Sequence, residues 1–447
     1  MDVDALEMMA LEARALLTRL KRVKPFVLHE TAVPAANISS SAQMAIERYL
    51  ADGRKELRQL VVAFLRWLQT SRAQRPTPAA AQRRFTFLRL RFNAVLSQFD
   101  IFADALTQRS EHETGIWLSG LDAVAADALA LPGYYQAPSV ICYLDRGAGA
   151  AIRRARTRLP GGGANPVAII RVPRERLIGS GIASSLVHEV GHQAAALLDL
   201  VNSLRPMLQR MQRQSGQRDL WYYWERWISE ILADFWSVAR IGVGSTLGLM
   251  GVVSLPRAFV FRVSLDDPHP IPWIRVKLSC AIGQALYPHP QWARLACIWE
   301  AFYPTQGLRV EKRRLLMRLE AGMPEFVELL MQHHPKALHG KSLMEVMQVD
   351  TRQPSRLAAL YGQWRVAPVQ RYRAAPSLVF AVIGQAKMDG KITPEEESTL
   401  LAKLLTHWAL RRRLDTSAAC TSCSPPQADI PVIAAGYTRQ RGGHSHA

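Results

Sequence analysis

Apolar residues recur at every third or fourth position through most of the first 135 residues. The stretches ALEMMALEARALLTRL, ELRQLVVAFLRWLQ and FTFLRLRFNAVLSQF all have this spacing, which places their apolar side chains on one face of an α-helix. Breaks that contain proline fall near Pro34 and at Pro76 and Pro78. The pattern therefore predicts an N-terminal helical region over residues 1–135.

The pattern then changes to two short runs that are typical of β-strands, PSVICYLD (138–145) and NPVAIIRVP (165–173). The loop between them is rich in glycine and carries several arginines from Arg146 to Arg158. The second run leads into GSGIASSLVHEVGH, which predicts a helix capped by Ser180.

Helical spacing returns from about 206 to 240 and from 278 to 413. The predicted fold class is therefore mainly α (α+β), with a small sheet in a core region that helical regions flank. The predicted divisions after residue 135 are 136–300 for the core region, 301–375 for a helical region, 376–413 for a helix-turn-helix segment, and 414–447 for a disordered tail.

Two of these divisions carry a motif. The turn DGKITPEE within 376–413 resembles the turns of small tellurite-resistance-type helical domains, which implies two packed helices there. The tail is rich in Ser, Ala, Pro, Gly and Gln, a composition that disfavours a packed core. Its CTSC pair (Cys420, Cys423) and the final His444 and His446 have poor spacing for a zinc knuckle.

Composition limits the class of protein. The chain has 447 residues, of which 49% are hydrophobic, so it can bury a sizeable core. Five sparse cysteines do not form the pattern of a disulfide framework, and the N-terminus MDVDALEMM is acidic where a signal peptide is basic. We therefore expect a reducing, cytoplasmic setting. The uncharged runs within 127–145 and 240–257 fall short of the ~20 residues that a membrane-spanning helix needs, so we expect no transmembrane segment.

The formal net charge is +19, which would attract nucleic acid, anionic lipid or acidic proteins. The sequence has no basic stretch interleaved with aromatic residues and no nucleic-acid-binding motif. Nucleic acid therefore stays a secondary hypothesis for a partner, with the loop from Arg146 to Arg158 as the expected contact.

The candidate chemistry lies in SSLVHEVGHQAA (184–195), which contains the pattern His-Glu-x-x-His. Residues four apart lie on one helix face, so His188 and His192 can hold one metal ion. Glu189 follows the first histidine and can reach a water at the metal as general base. Zinc suits this donor set, because its catalytic sites combine protein ligands with one open position. The sequence predicts one Zn²⁺ per chain.

A third ligand is expected on a second helix. The positions that a metzincin would use are occupied by Ala195 and Leu198, which excludes that class. The stretch WERWISEILADFWSVAR offers Glu230 as the third ligand, and Asp234, four residues later, can accept a hydrogen bond from a ligand histidine. The neighbouring residues are strongly apolar, so at least one of the two carboxylates should be buried and need a partner.

Downstream, DDPHPIPWIRVKL places His269 before a proline and Arg275 six residues later. The order HE-x-x-H, then ExxxD, then HP and Arg is similar to the gluzincin family of CAAX-prenyl peptidases and heat-shock membrane proteases, over roughly residues 165–277. The resemblance implies a zincin-like metallopeptidase core and a place near the zinc for His269, which would steady the oxyanion. It also implies that Arg275 is a supporting or substrate-facing cation. Unlike many members of that family, this chain has no convincing membrane span.

The same resemblance implies that the strand 165–173 is the sheet edge that pairs with an extended substrate. The predicted function is a zinc-dependent endopeptidase in which Glu189 is the general base and His269, or Tyr222 or Tyr223, contacts the oxyanion. Its substrate would be a protein or peptide. The alternatives are a catalytically silent, zinc-stabilised scaffold whose helical flanks bind a protein partner, and a protease that acts at nucleic acid through its basic surface.

Overall fold

The computed structural model describes residues 4–22, 33–69, 76–146, 149–159, 162–174, 179–214, 216–264, 266–347 and 349–422. The strands are β1 (Val140–Asp145), β2 (Ala151–Arg153) and β3 (Ala168–Pro173). The helices are α1 (Ala5–Arg22), α2 (Ser40–Leu68), α3 (Pro78–Thr107), α4 (His112–Leu129), α5 (Ser180–Leu197), α6 (Leu200–Gln214), α7 (Arg218–Ile241), α8 (Val243–Val253), α9 (Arg257–Val260), α10 (Pro272–Leu286), α11 (Gln291–Phe302), α12 (Val310–Ala321), α13 (Met323–Met331), α14 (Leu343–Val346), α15 (Pro354–Val366), α16 (Val369–Arg373), α17 (Pro376–Met388) and α18 (Pro394–Ser422).

The prediction of a mainly helical chain with a small sheet is confirmed. The long helices α2 and α3 begin at polar caps, because the side chains of Ser39 and Thr77 accept hydrogen bonds from the backbone amides of Ala42 and Ala80. The buried faces of α1, α2 and α3 form one hydrophobic core with one face of the sheet. The predicted helical region 1–135 contains these three helices and also α4, whose buried residues belong to a different core.

A second and larger core contains the elements around the predicted site. Its buried residues run from Leu118 in α4 to Trp408 in α18 and include one face of the sheet. This core is continuous across the predicted divisions after residues 135, 300 and 375. Within the described ranges, no helix is long and apolar enough to cross a membrane. The uncharged run after Arg240 forms α8, whose residues are mostly buried.

The sheet has the order β1-β3-β2, with β1 parallel and β2 antiparallel to β3. The strand β3, expected to be the sheet edge, is therefore central, and that expectation is wrong. The reason is the short strand β2, which forms within the Arg146–Arg158 loop and covers the edge of β3 from Ile169 to Arg171. Three residues are too few to give a detectable alternation of apolar and polar positions.

The two true edges of the sheet differ. Side chains cover the outer edge of β1: Gln108 bonds the carbonyl and the amide of Leu144, each at 2.7 Å. At Cys142 the carbonyl accepts from Arg109 at 2.6 Å, and the amide donates to Asp122 at 2.7 Å. Arg109 and Asp122 also form a fully buried ion pair. No strand of the described chain pairs with the outer edge of β2, which is three residues long.

A close crossing of α5 and α7 positions the predicted ligands. At Gly191 a Cβ atom would lie 2.8 Å from the Cα of Ala233 and 2.9 Å from its carbonyl oxygen, so only glycine permits this approach. Gly191 lies between the two histidines of the motif, and Ala233 lies between Glu230 and Asp234. The helix α5 starts at Ser180 with Gly179 as its N-cap, one residue before the predicted capping position.

The C-terminal segment forms the two predicted helices, α17 and α18, joined by a turn that contains Gly390. The last helix continues to Ser422, which is beyond the predicted start of the tail at 414. The backbone of Cys420 is therefore helical, while Cys423, His444 and His446 lie outside the described residues.

Candidate metal centre

The two histidines of the motif project from one face of α5 toward α7. The rings of His188 and His192 are 4.9 Å apart, centroid to centroid, and nearly perpendicular, so both can direct a ring nitrogen to the same point. Both side chains are partly shielded, with 12% and 16% of their surface exposed. A partly shielded pair of this kind can bind an ion and still leave it accessible to a small molecule.

Glu230 faces both rings from α7. Its Oε2 atom lies 3.2 Å from Nε2 of His188, and its Oε1 atom lies 3.5 Å from Nε2 of His192. One ligand atom from each of these three residues falls within 4.8 Å of the others. Among the described residues, no other group of three His, Cys, Asp or Glu side chains has this geometry. The fold thus brings Glu230 against two histidines that precede it by about 40 positions in the sequence.

A buried network holds His188 in place. Its Nδ1 atom lies 2.8 Å from Oδ1 of Asp234. The guanidinium of Arg275 donates to both oxygens of Asp234, at 2.7 Å from Nε and 2.9 Å from Nη2. The aspartate and the arginine are almost fully buried, and the fork-shaped pairing satisfies both charges. Arg275 is therefore a buried cation that contacts the cluster from within the core, and its Nη2 atom also lies 3.8 Å from Oε2 of Glu230.

The charges of this network shift the pKa of each member. Burial lowers the pKa of His188, but the charge and hydrogen bond of Asp234 and the contact with Glu230 outweigh it and raise that pKa to about 9. Burial raises the pKa of Glu230, while His188 and His192 hold it well below its ordinary value. The pKa of Asp234 is likewise lowered, because Arg275 and His188 outweigh its burial. The cleft therefore stabilises positive charge beside Glu230.

His269 comes close to the same carboxylate from the segment before α10. Its Nε2 atom lies 3.2 Å from Oε2 of Glu230, and its side chain is 47% exposed. Asp267 fixes the ring: its Oδ1 atom accepts the backbone amide of His269 at 3.0 Å and lies 2.8 Å from Nδ1. The imidazole thus stands at the solvent side of the three candidate ligands with Nε2 directed toward Glu230.

The general-base candidate, Glu189, follows His188 on α5 and is 8% exposed. Its negative charge contributes to raising the pKa of Arg275, so it lies within electrostatic reach of the network. The sequence did not single out Asp267, nor Ser229, whose hydroxyl is 3.5 Å from Nδ1 of His192. An aspartate two residues before the HP pair was the available signal for Asp267.

The tyrosine candidates have other neighbours. Tyr223 packs on Trp227, with ring centroids 5.0 Å apart, and on Tyr222 at 6.1 Å. Its hydroxyl makes no hydrogen bond to a ligand residue within the described chain, and Tyr222 is 46% exposed. Neither tyrosine is joined to the cluster by a contact comparable to that of His269.

A scan of protein-family models, a search of curated proteins and a search of solved structures each gave no significant match for this chain. The function therefore has to be inferred from the chemistry of the site itself.

Proposed function

We propose that this protein is a zinc-dependent peptidase of the gluzincin type, with His188, His192 and Glu230 as the metal ligands and Glu189 as the general base. One observation carries the proposal: two imidazoles and a carboxylate converge within 4.8 Å on two helices that cross at Gly191. A shared helix face explains the two histidines, but it does not by itself bring a buried carboxylate from another helix against both.

The donor set fits zinc in type and in spacing. Ligands at about 2.0–2.1 Å from a tetrahedral ion lie about 3.3 Å from each other. The two imidazole-to-carboxylate distances are close to this value, at 3.2 Å from His188 to Oε2 and 3.5 Å from His192 to Oε1 of Glu230. In addition, Oε2 of Glu230 is buried and receives no well-aligned hydrogen bond from the described residues. A buried anionic oxygen facing imidazole nitrogens is stabilised by a cation held between them.

The three residues would hold a zinc ion, which would supply Lewis acidity toward the scissile carbonyl and toward water. Glu189 removes the proton from the attacking water and later passes it to the departing amine. His269 presents Nε2 at the exposed side of the cluster. With Nδ1–H donated to Asp267, the ring can donate from Nε2 to the oxyanion in its imidazolium form. Asp234 and Arg275 fix the tautomer and position of His188.

The open edge of β2 is the better candidate for the substrate strand, in place of β3. The segment that follows β2 is attached to the ligand helix, because the amide of Ala155 donates to Oε1 of Gln193 at 2.8 Å. Gln193 is adjacent to His192, so a peptide that extends the sheet at β2 would run beside the metal ligands. Main-chain pairing of this kind binds a peptide without requiring one sequence.

The first test measures zinc in the full-length protein by elemental mass spectrometry after purification without chelators. We expect about one zinc per chain, and its loss in Glu230→Ala. Glu225→Ala is the matched control, because Glu225 lies on the same helix but bonds Gln209 and Gln212 away from the cluster. Wild-type protein without zinc, or an equal loss in both variants, would contradict the metal site.

The second test separates an enzyme from a silent scaffold. Glu189→Gln should keep the zinc and lose the chelator-sensitive cleavage of casein or a peptide library, because an amide cannot accept the proton of water. Cleavage that persists in this variant would exclude the mechanism. Zinc without cleavage in the wild-type protein would instead favour the scaffold hypothesis.

A further inference from the structure

A basic cavity lies on the sheet beside the open edge of β2. Its volume is about 520 Å³. Three arginines line it, Arg153 from β2, Arg154 just after β2, and Arg171 from β3, together with Tyr143 of β1 and Asp104 of α3. The register pairs Ala151 with Arg171 and Arg153 with Ile169, so both strand arginines belong to the same face of the sheet.

The positive charge of these arginines is only partly neutralised by neighbouring carboxylates. Neither Arg153 nor Arg154 forms an ion pair with a described carboxylate, and both are exposed. Arg171 is only 36% exposed, and its one ion-pair contact, to Asp145, is long at 3.6 Å. Its Nε atom is buried without a hydrogen-bond partner in the described chain. The exposed part of this guanidinium lines the cavity with only a long ion-pair contact, which suits it to an anion that enters there.

We propose that this cavity binds the carboxylate of an Asp or Glu side chain on an extended peptide that pairs with the outer edge of β2. Such peptides would be the substrate class of the proposed peptidase, so this inference rests on the proposed function. Side chains of a paired strand alternate between the two faces of the sheet. Acidic residues at every second position would therefore lie on the face of Arg153 and Arg171, and apolar residues would lie on the face of Ile152.

The lining favours a peptide over nucleic acid. A single-stranded nucleic acid needs a continuous basic groove with several aromatic side chains on which bases stack. Among the described residues that line the cavity, Tyr143 is the one aromatic residue, so successive bases would have no row of rings on which to stack. A single carboxylate needs only the two or three donors that one bounded cavity supplies. The position beside a free strand edge also supplies main-chain partners, which nucleic acid would not use.

The test measures peptide binding in the full-length Glu189→Gln protein, so that no peptide is cut during the measurement. The probes are three fluorescein-labelled peptides, in which Val alternates with Glu, with Gln or with Lys. Fluorescence anisotropy measures the affinity of each peptide at two salt concentrations. We expect the Glu peptide to bind about tenfold more tightly than the Gln peptide, since an Arg–carboxylate bond exceeds a neutral one. The preference should decrease with salt.

The decisive variant is Arg153→Ala with Arg154→Ala, both exposed, so the fold should persist, as circular dichroism can verify. It should remove the preference for Glu and leave the affinity for the Gln peptide nearly unchanged. The matched control is Arg210→Ala with Arg213→Ala, which removes the same charge from exposed positions of α6. The control should keep the preference.

Equal affinity for the Glu and Gln peptides would overturn the proposal, as would an equal loss in the control. A labelled single-stranded oligonucleotide gives a third outcome. The proposal would be overturned in favour of nucleic acid if the oligonucleotide bound more tightly than the Glu peptide and if the Arg153 and Arg154 changes abolished that binding. These readouts do not depend on turnover. A preference for Glu in a protein without zinc would refute the peptidase and keep the acidic-peptide site. Zinc in a protein without a preference for Glu would refute only the acidic-peptide site.

Discussion

The Nδ1 atom of His188 lies 2.8 Å from Oδ1 of Asp234, one turn of α7 beyond Glu230. One aspartate thus links the first histidine of the motif to a buried arginine, because both oxygens of Asp234 also accept from Arg275. A hydrogen bond at Nδ1 leaves Nε2 as the ligand nitrogen and fixes the direction of the ring. The proposed ligand His188, Asp234 and Arg275 therefore form one chain of contacts that leads from the cleft into the core.

This relationship predicts the effect of Asp234→Asn. The amide can present an N–H where the carboxylate accepts, and it leaves Arg275 without its counter-charge, so zinc affinity should fall by about 10- to 100-fold. Competition with a chromophoric chelator measures the affinity at a temperature where circular dichroism reports folded protein. Asp219→Asn, exposed in the first turn of the same helix, is the control and should bind zinc like the wild type. Unchanged affinity in Asp234→Asn would contradict the supporting role.

The crossing of α5 and α7 predicts a different result for Gly191→Ala. The added methyl group would lie 2.8 Å from the backbone of Ala233, so the helices must separate, and we expect a loss of about 1–3 kcal/mol of unfolding free energy together with weaker zinc binding. Urea unfolding and the chelator competition measure the two effects.

Gly251→Ala is the control for this change. Gly251 is exposed in α8 and has no neighbour within 4 Å of an added Cβ. There alanine should stabilise the helix by up to about 1 kcal/mol through its higher propensity. If Gly191→Ala were as well tolerated as Gly251→Ala, the close crossing would not be needed for the site.

A buried histidine away from the cluster predicts a dependence of stability on pH. His333 is 5% exposed, and its Nε2 atom lies 2.8 Å from the hydroxyl of Ser203. Burial, with a smaller effect of the His334 charge, lowers the pKa of His333 to about 4. An unfolded histidine binds its proton near pH 6.5, so between the two values the unfolded chain holds more protons than the folded chain.

The sign follows from that difference. The stability contributed by neutral His333 is fully present above pH 6.5 and is lost as the pH falls through about 4, by up to about 3 kcal/mol. Denaturant unfolding from pH 7 to pH 4 measures it, and His333→Gln should show a shallower decrease because glutamine does not titrate. Equal slopes for the two proteins would mean that His333 takes up its proton normally in the folded state.

The sequence by itself determined the local features of this protein. Helical spacing predicted the long helices, and the i, i+4 rule placed His188 with His192 and Glu230 with Asp234 on single helix faces, because these relations depend only on the geometry of one helix. The apolar neighbours of Glu230 and Asp234 also predicted burial, and both carboxylates are buried.

Only the tertiary structure decided how these faces meet. A helix face gives no distance to another helix, so the contact of Glu230 with both histidines depended on the crossing at Gly191 and Ala233. The strand β2 was too short to detect, and its pairing made β3 central and moved the open edge. Long-range contacts also turned Arg275 into the core against Asp234 and brought His269 against Glu230, since pairing of separate segments is fixed by packing and not by local spacing.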